Sequence, residues 1–150
     1  MNTAPIPFRL SAEKREEQMR AFNMRNEILW FGFQGAFEEP GTAVITFSRL
    51  ETGALGGGGT PAVNGGVIAA GFDAAFVLAG LGQYDTDVVV TLDLSVQFLN
   101  LATVSPSLAF EAQVVRSAKN FCFAQGVLRD RKNPDGPAYS LGKAMVAPAR

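Results

Sequence analysis

The chain has 150 residues, 47% of them hydrophobic and 18% charged, with 13 Lys plus Arg against 14 Asp plus Glu and a net charge of −1. A chain of that length hides roughly 68–70% of the surface its unfolded form exposes, so a core forms without disulfide or metal staples. It has no histidine, which excludes His general bases, His metal ligands and every Ser-His or Cys-His pair, and its near-neutral charge argues against a general nucleic-acid role.

Ser11 is placed to cap a helix over residues 12–25, with Glu13, Glu16 and Glu17 in its positive first turns. Residues 28–37 (ILWFGFQGAF) and 42–50 (TAVITFSRL) read as two antiparallel strands joined by a Glu-Glu-Pro-Gly turn. Trp30, Phe31, Phe33 and Phe37 are expected in the core, with one or two of them lining a pocket as the alternative. The Gly-rich residues 51–63 are loop, and their four-glycine run lacks the Gly-Lys-Ser/Thr ending of a phosphate loop.

Residues 65–81 (GGVIAAGFDAAFVLAGL) are too long for a strand and have no polar face. They predict a helix surrounded by protein on nearly all sides. A transmembrane reading is weak, because a span wants about 20 apolar residues and a central Asp costs roughly 2.5–3.5 kcal/mol. Past the turn at residues 82–87 the period becomes two. Residues 88–99 put Leu92, Leu94, Val96 and Phe98 on one face and Thr91, Asp93, Ser95 and Gln97 on the other. Residues 107–116, 120–130 and 139–146 complete four strands. An α+β architecture, a six-stranded antiparallel sheet curled around one apolar helix, satisfies this order. Residues 1–150 are expected to form one domain, with 1–27 as an N-terminal extension and helix and 28–150 as its core.

Cys122 is the one cysteine, and the N-terminal residues lack the charged-then-apolar run of a secretory leader, so a reducing cytoplasm is expected. Cys122, between Phe121 and Phe123, reads as a buried small apolar residue.

Asp73 is the residue that composition does not explain. Its helix neighbours Phe72, Ala74, Ala75 and Phe76 offer no partner, and Asp is rarely buried unpaired. It either carries chemistry, is solvated at a gap or subunit boundary, or is satisfied by a strand hydroxyl. At the helix start Asn64 is a good N-cap, and the amides of Gly65, Gly66 and Val67 lie at the positive end, where a carbonyl oxygen or oxyanion is held. Gly65 and Asp73 are eight residues apart, about 12 Å along one helix. They cannot serve the same carbonyl within one chain. A site using both therefore needs a second subunit, its helix antiparallel to the first, as two-fold symmetry allows.

Asn64 to Ala75 (NGGVIAAGFDAA), followed by Thr91 to Leu99 (TLDLSVQFL), resembles the hotdog-fold acyl-CoA thioesterases of the phenylacetate-degradation type. Their pattern is His-Gly-Gly, an acidic residue on the same helix, then a strand of Thr-x-Asp-Leu-x-Ile-x-Tyr-Leu character. The resemblance implies a hotdog fold and hydrolysis of an acyl-CoA by a homodimer or dimer of dimers, with no cofactor or metal. It implies that Asp73 is nucleophile or general base, that Gly65 N–H polarises the thioester carbonyl from the facing subunit, and that Thr91 hydrogen-bonds the water or the carboxylate. Asn64 stands in place of the motif His, and Gly58 in place of a frequent Asn or Gln. Those departures favour the alternative, a non-catalytic acyl-CoA or fatty-acyl binder. No Lys or Arg lies between Thr52 and Val115, so coenzyme A phosphates would fall to Arg116, Lys119, Arg129, Arg131 and Lys132; solvated edge charge is the competing reading.

Overall fold

The computed structural model describes residues 4–56 and 59–149. Helix α1 (Ala12–Asn23) starts as its sequence predicts, Ser11 accepting a hydrogen bond from Lys14 N at 3.2 Å. The next segment departs from expectation. Asn26–Phe31 is not the beginning of a strand but a six-residue helix, α2, and the first strand, β1, is Phe33–Glu38. Gly32 separates them at φ 73, a conformation natural to glycine, with its position packed so closely on the Arg49 carbonyl that a Cβ would lie 2.6 Å from it. The Arg49 guanidinium then donates to the carbonyls of Leu29, which also accepts from Gly32 N, and Trp30 at 3.0 and 3.1 Å. Aromatic density suggested a strand, but a left-handed stop and a distant cation stabilise a helix.

Strand β2 (Thr42–Phe47), a short 3-10 turn (Thr52–Ala54), helix α3 (Gly65–Leu81) and strands β3 (Val89–Phe98), β4 (Leu108–Ser117), β5 (Cys122–Asp130) and β6 (Ser140–Pro148) follow. The six strands form one antiparallel sheet in the order β1-β2-β4-β5-β6-β3, leaving β1 and β3 as its edges. The sheet curves around α3. Phe72, Phe76, Leu78 and Leu81 of the helix and Phe110, Leu128 and Val146 of the strands are fully buried together. Gly71 permits the close approach: a Cβ there would stand 2.2 Å from the Phe110 ring. No helix among the described residues is long and apolar enough to cross a membrane.

Two expectations about side chains change. Trp30 is 74% exposed instead of core, whereas Phe33 is buried and Phe31 and Phe37 are partly so. On β3, strict alternation fails because the register with β6 shifts between Thr91 and Asp93, a bulge at Leu92. Leu94 and Val96 pack on the core as predicted, but Leu92 and Phe98 are 54% and 56% exposed. Val89 and Thr91, on the other side of the bulge, face the helix instead.

Candidate active site

That bulge builds the site. By alternation alone Thr91 would point away from the face that carries Leu94, yet its hydroxyl donates to Asp73 Oδ1 at 2.5 Å. The extra residue at 92 reverses the phase of everything before it, so Thr91 turns in toward α3. The hydroxyl satisfies one of roughly four lone-pair positions on the carboxylate. Among the described residues no other group donates to Asp73, and the carboxylate lines a cavity of about 410 Å³.

The walls of this cavity are mostly apolar: Phe22, Ile28, Phe31, Phe33, Ala70, Ala74, Val77 and Val89, with Arg25 and Glu27 as the other charged lining groups. Five of these residues, Phe22, Arg25, Glu27, Ile28 and Phe31, come from α1, α2 and their junction. Of these five, the sequence alone marks only Phe31 for a pocket. The signal available was the apolar Phe22 and Ile28 on either side of the polar run Arg25, Asn26 and Glu27. Arg25 is held in place by its donation to Asp87 O at 2.8 Å and by the face of the Phe22 ring, 5.5 Å from the guanidinium carbon.

The start of α3 is capped as expected. Asn64 Oδ1 accepts from Gly66 N at 2.8 Å, and Asn64 N donates to Ala54 O at 2.7 Å. The Gly66 amide, expected to face a ligand, is thereby committed to the cap. The Gly65 amide has no acceptor among the described residues, and Gly65 is exposed. Val67 faces a second cavity, of about 440 Å³, with Trp30, Phe31, Arg49 and Ala54. Gly65 and Asp73 thus occupy the start and the middle of one helix, separated along its axis by about 12 Å. Gly58 lies outside the described residues.

The cations expected on coenzyme A are not gathered at this cavity. Arg116, on β4, and Lys119, in the turn after it, are exposed. Arg131 is engaged elsewhere. It chelates Glu38 at 2.8 and 2.5 Å and reaches Glu111 at 3.1 Å, while Arg129 pairs with the same Glu111. Its guanidinium holds the Glu38 carboxyl below the usual carboxylate range. Cys122 is buried, and burial pushes its thiol up to about 11, so it is protonated at neutral pH and no nucleophile. Among the described residues there is no group of three or more Cys, Asp or Glu placed to hold a metal ion.

Comparison with known proteins adds the following. A family model described as the thioesterase superfamily matches residues 61–136, just over half the chain and including α3, β3 and β4. Comparison with curated proteins gives no significant sequence match. Among solved structures, the E. coli PaaI protein from the phenylacetic acid degradation operon superposes with a TM-score of 0.76 at 18% identity, over 93% of this chain and 96% of that one. A thioesterase family protein from Silicibacter pomeroyi gives 0.75 at 18% identity over 89% and 96%. Zebrafish thioesterase superfamily member 2 gives 0.71 at 18% identity over 93% and 99%. At such identities the likeness establishes the architecture, a curved sheet around a central helix, and not the chemistry.

Proposed function

The chain belongs to the thioesterase superfamily and has the hotdog fold, and from that premise we propose that it hydrolyses an acyl-CoA thioester at Asp73. The observation that carries the proposal is a carboxylate that accepts from one strand hydroxyl, on a residue that lines an otherwise largely apolar cavity. In this reading Asp73 takes a proton from water as the water oxygen bonds to the thioester carbon. The carbonyl oxygen becomes an oxyanion stabilised by a preorganised amide. Collapse breaks the C–S bond, and the departing coenzyme A thiolate takes up the proton held by Asp73, giving a carboxylic acid, free coenzyme A and the carboxylate restored. Thr91 fixes the carboxylate, and the cavity takes the acyl group. Residues 1–27, set apart as an extension by sequence, then belong functionally to the same unit as residues 28–150, since Phe22, Arg25 and Glu27 supply part of the acyl wall.

The oxyanion amide is that of Gly65 from a second subunit, because 12 Å of helix separates Gly65 from Asp73 in one chain. A homodimer is supported by β3. It is a ten-residue edge strand with unpaired backbone groups, and it exposes Val90, Leu92 and Phe98, a combination that favours pairing with another strand. Two copies of β3 running antiparallel would set their α3 helices antiparallel, as the shared site requires. Coenzyme A phosphates fall to the exposed Arg116 ahead of Arg131, whose guanidinium already serves two carboxylates.

The second reading, an acyl-CoA binder without hydrolysis, is favoured by the Asn64 cap in place of a titratable His and by its capture of the Gly66 amide. Purified protein incubated with a panel of acyl-CoAs and a thiol reagent separates the two. Release of free coenzyme A that falls at least about a hundredfold in Asp73→Asn supports the hydrolase. Thermal stabilisation without release supports the binder, and release unchanged in Asp73→Asn defeats the assignment of Asp73.

A further inference from the structure

Two cavities lie in succession along one face of α3. The first, with Asp73, touches the helix at Ala70, Ala74 and Val77; the second touches it at Val67 and is bounded by Trp30, Arg49 and Ala54. Positions 67, 70, 74 and 77 follow at helical spacings of three and four, so they form one stripe, about 15 Å long. One residue lines both spaces: Phe31.

Phe31 is held firmly enough to act as a wall. Its ring stacks on Phe33 at 5.1 Å with an interplanar angle of 10°, and Trp30 packs against it nearly at right angles, with ring centroids 5.0 Å apart. Its backbone ends α2, where Arg49 ties down the carbonyls of Leu29 and Trp30 and Gly32 reverses the chain. A side chain restrained on three sides between two cavities of about 410 and 440 Å³ divides a longer trough in two.

We propose that Phe31 is a specificity-determining partition that ends the acyl pocket, confining the acyl group to the cavity beside Asp73 and excluding longer chains from the space beside Val67. The inference rests on the acyl-CoA reading of the site but needs binding alone, not hydrolysis. Removing the ring would join the two spaces and roughly double the room for an acyl chain. Each methylene then housed would raise affinity about fourfold, equivalent to about 0.8 kcal/mol.

The test uses non-hydrolysable coenzyme A thioethers bearing ethyl, hexyl, decyl and hexadecyl chains, with Kd measured by calorimetry on the full chain. Wild type should stop gaining affinity before the decyl chain, whereas Phe31→Ala should bind decyl- at least tenfold more tightly relative to hexyl-coenzyme A than wild type does. Phe31→Leu should shift the profile the same way by less, and it covers the case in which Phe31→Ala fails to fold. Ala54→Leu, which fills the second cavity, should cancel the gain in the Phe31→Ala background and leave the wild-type profile as it is. A chain-length profile unchanged in folded Phe31→Ala or Phe31→Leu, a gain that survives Ala54→Leu, or no length-dependent binding at all overturns the partition. Failure of the hydrolase reading shows separately, as absence of coenzyme A release from the corresponding thioesters while the thioether profile still shifts.

Discussion

Replacing Gly65 by proline should remove one amide hydrogen from the molecule and little else. Position 65 is the first residue of α3, where proline is favoured because the N–H there has no intrahelical acceptor. Proline also restricts the residue before it to extended backbone, and Asn64 already sits at φ −59, ψ 139. A Cβ at 65 meets nothing nearer than the Phe98 ring at 3.4 Å, an ordinary contact. Stability should therefore change by less than about 1 kcal/mol. Activity should not survive so well, since one preorganised oxyanion donor is worth about 2.7–4 kcal/mol, or roughly 10²–10³ in kcat. Gly65→Ala is the control, adding a Cβ while keeping the N–H. Coenzyme A release followed with a thiol reagent, alongside thermal melting of both variants, isolates the amide. A folded Gly65→Pro protein with kcat within threefold of Gly65→Ala would refute the oxyanion role.

Thr91→Val removes a 2.5 Å hydrogen bond to a carboxylate, a charge-assisted contact worth about 1.5–3 kcal/mol. If that energy orients Asp73, kcat should fall about 10- to 150-fold with KM little changed, and Thr91→Ser should restore most of it; activity retained in the isosteric Thr91→Val, or a loss as large in Thr91→Ser, would mean that the hydroxyl's hydrogen bond does not orient the acid. A pH effect follows from Cys122, whose thiol burial raises from 9.0 to about 11. Above its ordinary pKa the unfolded chain releases this proton while the folded chain retains it, so stability falls as pH rises from 9 and the loss is complete above 11. The loss over that window is on the order of a few kcal/mol. Denaturant midpoints across that window should drop less in Cys122→Ala than in wild type, and equal drops would place the alkaline loss elsewhere.

The central helix was legible because a run that is apolar all round admits one solution, burial inside a sheet, and because Asn64 announces its start. The four C-terminal strands were legible from alternation. Alternation also misled, since a bulge adds one residue without any compositional mark, and Leu92 looks like a core residue until pairing with β6 shows the slip. The helix Asn26–Phe31 was hidden for a different reason. Six residues are too few to be stable alone, and what holds them, Arg49 on their last carbonyls and Gly32 at positive φ, comes from tertiary structure. The same segment walls the cavity, so the residues missed at the site and the error in the fold have one origin. Asp73 was found because a lone acid in an apolar helix is costly, whereas its partner Thr91 looked like any β-branched strand residue and drew notice only through a family resemblance.

The claim that Asp73 of one protomer works with the Gly65 amide of the other is tested most directly by mixing subunits. Asp73→Asn and Gly65→Pro homodimers should each be nearly inactive. Unfolded, combined in equal amounts and refolded together, half of the dimers carry one subunit of each kind, and in those one of the two sites is intact, so activity should recover to about a quarter of wild type. Activity no greater than that of the separate parents, in a sample shown to contain mixed dimers, would contradict the shared site.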